Sequence, residues 1–210
     1  MFDTYTNFIS DSEIQQIREK VIELSPYWSL LVESSLKGKW YSFGDAVYVM
    51  QGKGVGLNTI NQEVQQILYR EFNWIYRRIC NKIHQITGKN TVLHPKLPYP
   101  GFHISELKHP YEVPYFHTDI SITEYISNID MNGAYSLLVL IEKPSEGAWL
   151  ESKVGDVKTK HHYQYGALHR WKSTVPHRVG QFNTGEGERR ITLQCHYYYN
   201  SKLDCNLVYL

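Results

Sequence analysis

The stretch "RRITLQCHYYYN", residues 189–200, alternates polar and apolar side chains over most of its length. On an extended strand successive side chains point to opposite faces, so Arg190, Thr192, Gln194 and His196 share one face and Ile191, Leu193, Cys195 and Tyr197 the other. One face is suited to burial against helices. The other carries hydrogen-bonding and titratable groups.

From about residue 91 onward the chain runs in similar short segments rich in Val, Ile, Tyr, Phe and Thr and broken by Pro and Gly: "GFHISEL", "AYSLLVLIE", "AWLESK", "HHYQYGALHRW" and "HRVG". The earlier part is different. "SDSEIQQIREKVIEL" puts Ser10 at an N-cap with Glu13 at the capping-box spacing, and Ile14, Ile17, Val21 and Ile22 follow on one helical face, ending before Pro26. From Asn58 to Thr87 apolar positions recur with a period of about 3.6, and Gly88 stands where a C-terminal cap belongs. Between these helices, "WYSFGDAVYVMQGKGVG" reads as strand-like pieces divided by glycines, a hairpin or a mobile loop. Helices first and strands afterwards predict an α+β fold, with the helices on one face of an antiparallel sheet. Residues 1–210 read as a single domain, 1–90 mainly helical support and 91–210 the β core, a length sufficient for one full core.

Hydrophobic residues at 42% and charged residues at 20% exclude wholesale disorder. A formal charge of +1 gives no general field for nucleic acid or an acidic membrane. "YRRICNK", with Arg77, Arg78 and Lys82, reads as a solvated helix face, and "KTKHHYQY" lacks a nucleic-acid motif around it. Cys80, Cys195 and Cys205 have no Cys-x-x-Cys spacing, which argues against a disulfide framework or zinc ribbon and for a reducing, cytoplasmic home. "MFDTYTNFIS" lacks the pattern of a cleaved leader, and no stretch approaches the roughly 20 apolar residues of a membrane span.

"PYFHTDIS", residues 114–121, sets His117 and Asp119 one residue apart, a match that chance alone supplies often. Later come "STVPHRVG", with His177, and "RRIT", with Arg190 and Thr192. In this order and spacing, His117-x-Asp119, His177 and Arg190-x-Thr192 resemble the 2-oxoglutarate- and Fe(II)-dependent oxygenases, especially the prolyl-4-hydroxylase-like branch. "SLLVLI" stands where that family has the strand after its first ligand pair. "GAWLES" stands for its Gly-Gly-x-Leu segment and "YGALHRW" for its Gly-x-Leu-x-x-Phe approach to the distal histidine, so that the similarity covers residues 98 to 200.

The resemblance implies a double-stranded β-helix, a cupin-like jelly roll with N-terminal helices packed on the major sheet. It implies a catalytic Fe(II) held by His117, Asp119 and His177, since two imidazoles and one carboxylate leave three positions open on the metal. Arg190 would grip the far carboxylate of 2-oxoglutarate with two parallel bonds, and Thr192 would add a third. With dioxygen as second co-substrate, the implied reaction is hydroxylation of an unactivated C–H bond with release of succinate and CO2. Asp119 favours this over halogenation, for which related enzymes replace the carboxylate by a small residue. One departure stands out: Ser136, Leu138 and Leu140 face inward where the branch often has a tyrosine, and Tyr135 would need a one-residue register shift.

His103, Tyr115, Gln194 and His196 are the candidate substrate contacts, Tyr115 because it shares the ligand face of an extended strand while Thr118 points away. The expected substrate loops are Trp40 to Gly56 and Pro98 to Tyr115. His161 and His162 fall on opposite strand faces, and His169 reads as structural. By analogy the substrate is an amino acid, a peptide or a protein side chain, with small-molecule or peptide partners, no nucleic acid and no membrane. Two other readings keep the barrel: a cupin-like metal enzyme that needs neither 2-oxoglutarate nor Arg190, and a non-catalytic jelly-roll binding domain.

Overall fold

The chain begins with strand β1 (Phe2–Tyr5) and helix α1 (Asp11–Glu23), continues through β2 (Ser29–Ser34) and β3 (Gly38–Phe43), and then forms helices α2 (Val47–Gly52) and α3 (Gln62–Thr87). Strands follow: β4 (Asn90–Leu93), β5 (Gly101–Glu106), β6 (Tyr135–Glu142), β7 (Glu146–Gly147), β8 (Leu150–Val154), β9 (Val157–His161), β10 (Leu168–Lys172), β11 (His177–Val179), β12 (Phe182–Asn183), β13 (Arg190–Asn200) and β14 (Cys205–Tyr209). This computed structural model describes residues 2–34, 38–106, 115–127, 129–147, 149–180, 182–183 and 188–210.

Both long helices start and stop for local reasons. Ser10 accepts from Glu13 N while the Glu13 side chain accepts from Ser10 N, a closed capping box at the start of α1. Asn61 caps α3 by accepting from Glu63 N and Val64 N. Gly88 ends α3 at φ 68°, a left-handed conformation that a side chain would strain. The "AVYVM" segment, expected to be strand-like, is instead α2. Val47 and Met50 are its buried residues, three apart as on a helical turn, whereas a strand would have buried alternate positions.

The large sheet runs β1-β10-β6-β13-β5-β3-β2, with β14 joining β13 and β4 joining β14. Its pairs are antiparallel except β4 with β14. Three strands from the first 90 residues, β1, β2 and β3, therefore enter the sheet beside the supporting helices. The central strand β13 pairs with β6 along one side, and with β5 and then β14 along the other.

Side-chain alternation splits this sheet into two functions. Leu137, Val139 and Ile141 of β6 and Ile191, Leu193, Cys195 and Tyr197 of β13 share one apolar cluster with Ile17 and Val21 of α1 and Leu68, Phe72, Ile75 and Ile79 of α3. Burial of this order contributes about 1.5–3 kcal/mol for each large apolar side chain. The opposite face carries Leu138, Leu140 and Trp171, which pack against Leu150 of β8. Leu150 belongs to a second, three-stranded sheet, β11-β8-β9, so the two sheets face each other. Arg189, adjacent to Arg190 but turned away from it, lies 3.9 Å from Glu106 and 4.0 Å from Glu142.

Candidate active site

Between the two sheets lies a cavity of about 650 Å³. His117, Asp119 and His177 line it together, with candidate ligand atoms that all lie within 4.8 Å of one another. The backbone brings them there. His117 and His177 form an antiparallel bridge, exchanging hydrogen bonds of 3.0 and 2.8 Å, and Asp119 N donates to Ser173 O at 2.8 Å.

Each imidazole is also oriented. Nδ1 of His177 lies 2.9 Å from Val175 O, and Nδ1 of His117 lies 3.3 Å from Tyr115 O. A ring nitrogen facing a carbonyl must carry the proton, which leaves Nε2 of both rings to face the Asp119 carboxylate. Nε2 of His177 stands 3.2 Å from Asp119 Oδ2, and Nε2 of His117 stands 3.9 Å from Oδ1. Burial alone would raise the Asp119 carboxyl, but the neighbouring imidazoles of His177, His196 and His117 outweigh it and hold the group far below the usual carboxylate range. Burial likewise opposes charge on His177, and the Asp119 carboxylate overcomes it and raises that imidazole. The set is therefore two imidazoles beside an ionised carboxylate that favours a proton, or a cation in its place, on His177 Nε2, a donor set suited to a metal ion.

Arg190 lines the same cavity and is 3% exposed. Among the described residues no carboxylate pairs with it and its Nε has no acceptor. The group nearest to it in hydrogen-bonding terms is Tyr163 Oη, which accepts from Nη2 at 3.5 Å. Thr192 is on the same strand face and fully buried, but it accepts from Gln194 Nε2 at 3.5 Å and is not among the cavity-lining residues. Tyr163 also stands beside Arg190. Nothing in the alternation pattern pointed to that residue, which precedes β10 in a loop.

The four substrate candidates separate. His103, Gln194 and His196 line the cavity. His103 is 3% exposed, meets Tyr48 Oη at 3.1 Å through Nε2, and is pushed down to about 3 chiefly by burial, so it is neutral. Tyr115 does not line it and is 94% exposed, whereas Thr118, expected to turn away, does line it. The reason is local: among the described residues of this segment only His117 is bridged to a neighbouring strand, so the two-residue alternation assumed there does not hold. Trp40, Tyr48, Gln51 and Gly52 form part of the wall, as the first expected loop requires. Residues 107–114 of the second lie outside the described residues.

His161, His162 and His169 do not line the cavity. His161 Nε2 meets Ser152 Oγ at 2.8 Å, while His162 lies beside Trp149. His169 accepts from Gln164 N and meets Thr4 Oγ1 at 3.2 Å.

No protein-family model matches the chain, and no curated protein does. Solved structures match over nearly the whole length. An oxidoreductase of the 2OG-Fe(II) oxygenase family from Burkholderia pseudomallei is 10% identical, with 92% of this chain and 83% of that one covered at a TM-score of 0.59. The α-ketoglutarate-dependent non-heme epimerase SnoN of nogalamycin biosynthesis is 12% identical, with 94% and 79% covered and a TM-score of 0.54. A prolyl hydroxylase from Trichoplax adhaerens, in complex with a hypoxia inducible factor peptide fragment, is 15% identical, with 96% and 84% covered and a TM-score of 0.52. The chain has the fold of the 2-oxoglutarate/Fe(II) oxygenases, and a prolyl hydroxylase is among the proteins that share it.

Proposed function

We propose, from that shared fold, that this chain is a non-haem Fe(II)- and 2-oxoglutarate-dependent dioxygenase that hydroxylates an unactivated C–H bond of a small-molecule or peptide substrate, an amino acid or protein side chain included. One observation carries the reading: the donor atoms of His117, Asp119 and His177 converge in the same cavity as a buried Arg190 that has no carboxylate partner among the described residues. The two facing sheets support a double-stranded β-helix core within one domain of residues 1–210. All three cysteines are free, which supports a reducing compartment such as the cytoplasm. No helix among the described residues is long and apolar enough to cross a membrane.

The donor set fits Fe(II), and His117, Asp119 and His177 would hold it. When bound, Fe(II) supplies activation of dioxygen, coupling conversion of 2-oxoglutarate into succinate and CO2 to oxidation of the substrate. The protein's own part is positional. Arg190 and the Tyr163 hydroxyl receive the far carboxylate of the co-substrate, where a guanidinium in an apolar surround binds an anion much more strongly than in water. Leu138, Leu150 and Trp171 wall its aliphatic path and exclude water. The substrate lies against Trp40, Tyr48 and His103, which line the same cavity.

The test begins without oxygen. Fe(II) and 2-oxoglutarate added to folded protein should produce the visible charge-transfer absorption of the chelate. Its absence would sink the 2-oxoglutarate reading and leave the cupin-like alternative. The band should vanish in His177→Ala and require far more 2-oxoglutarate in Arg190→Ala. Succinate formation on admitting oxygen separates an enzyme from a binding domain. A product one oxygen atom heavier than its substrate marks hydroxylation, whereas one of unchanged mass marks a reaction of another outcome, such as epimerisation.

A further inference from the structure

Asp119 is held by more than the two imidazoles. Ser136 Oγ donates to its Oδ2 at 2.5 Å, and the same Ser136 Oγ lies 3.0 Å from Ser173 Oγ and 3.0 Å from His196 Nδ1. All three partners are buried, Ser136 at 1%, Ser173 at 0% and His196 at 9% exposure. The arrangement follows from the sheet, because Ser136 stands opposite His196 on one neighbouring strand and Trp171 on the other, two residues before Ser173. Ser173 fixes both ends of the aspartate, its carbonyl accepting from Asp119 N at 2.8 Å and its hydroxyl meeting Ser136.

A serine hydroxyl has one proton and two lone pairs. The proton of Ser136 goes to the carboxylate, so the contacts from Ser173 and His196 must both donate to it. His196 therefore carries its proton on Nδ1, and every valence of the Ser136 oxygen is used. A hydroxyl saturated in this way cannot rotate away from Asp119 without leaving buried groups unpaired.

We propose that Ser136 is a positioning residue that commits Oδ2 of Asp119 to the protein, so that the aspartate binds a metal through one oxygen and keeps the remaining coordination positions open. This inference rests on the metal-site reading above. Without Ser136 the carboxylate is free to turn and chelate with both oxygens, closing a position that a co-substrate needs.

Cobalt(II) tests the idea without turnover, because it reports affinity by calorimetry and coordination by its ligand-field absorption. Ser136→Ala should bind cobalt(II) about 10- to 100-fold more weakly, the size of effect that loss of an outer hydrogen bond to a ligand produces. Its spectrum should also shift, and Ser136→Thr, which keeps the hydroxyl, should restore both. Ser173→Ala should weaken binding by a smaller factor. Melting of the metal-free proteins checks that the fold is kept. If Ser136→Ala does not fold, a loss of affinity in Ser173→Ala carries the test and its absence overturns the proposal. Unchanged affinity and spectrum in folded Ser136→Ala, or a Thr variant that restores neither, overturns the positioning role and leaves the metal site standing. Failure of the unmodified protein to bind cobalt(II) overturns both.

Discussion

Arg190 is a charge removed from water without a carboxylate to meet it among the described residues, an arrangement whose desolvation penalty is several kcal/mol until an anion arrives. Two outcomes should therefore separate in Arg190→Met. Its metal-free melting temperature should be no lower than that of the unmodified protein, while the rise in melting temperature on adding 2-oxoglutarate with a divalent metal should disappear. Tyr163→Phe removes one hydroxyl near the guanidinium and should weaken 2-oxoglutarate binding by about tenfold, the worth of one hydrogen bond to a charged group, measurable by titration of the charge-transfer band. The two residues differ in how they can be read from sequence. Arg190 lies on a regular strand whose polar and apolar faces are told apart by alternation, whereas Tyr163 lies in a loop, where no period relates sequence spacing to direction. Tyr115 and Thr118 went astray for the same reason, in a segment that is extended at one bridge only.

Among the elements, the two long helices were legible because their ends are set by local chemistry, the capping box at Ser10 and the left-handed Gly88. β1 was not legible. Its four residues earn their place through pairing with β10, where Phe2 faces Trp171 and Thr4 faces His169, and no signal within "FDTY" records that partner. The turn before β10 depends on Gly166, which has φ 68°, and a Cβ there would sit 2.4 Å from Ile9 O. Phe8 N and Ile9 N both donate to Gly166 O, so this contact ties the entry of α1 to the sheet. Gly166→Ala should lower the unfolding free energy by about 1–3 kcal/mol in a denaturant titration. Gly155→Ala, at φ 58° but facing open space, should lower it by less.

At the scale of the molecule, stability should depend on buried neutral histidines. Burial, with Lys96 adding to it, pushes His94 down to about 4, and burial pushes His169 down to about 4. Both groups bind protons more readily when unfolded, at an ordinary value of about 6.5. Their contribution is fully present above that value and is lost as pH falls toward about 4. Denaturant midpoints should fall between pH 7 and pH 5, and His169→Gln should flatten the dependence. The mixture of helices with a large antiparallel sheet was legible because the 3.6-residue period of α3 and the two-residue alternation of β13 both stand out in the sequence. The meeting of the two sheets was legible only through the family resemblance and not from periodicity, since it depends on partners far apart in sequence. One asymmetry of the site remains consequential: the His117 side chain is 54% exposed, whereas that of His177 is 5% and that of Asp119 15%. A metal held here has one ligand in contact with solvent and two sheltered. Its residence time is then set by attack from outside on the His117 bond rather than by opening of the fold, so excess chelator should strip it at a rate that climbs with chelator concentration.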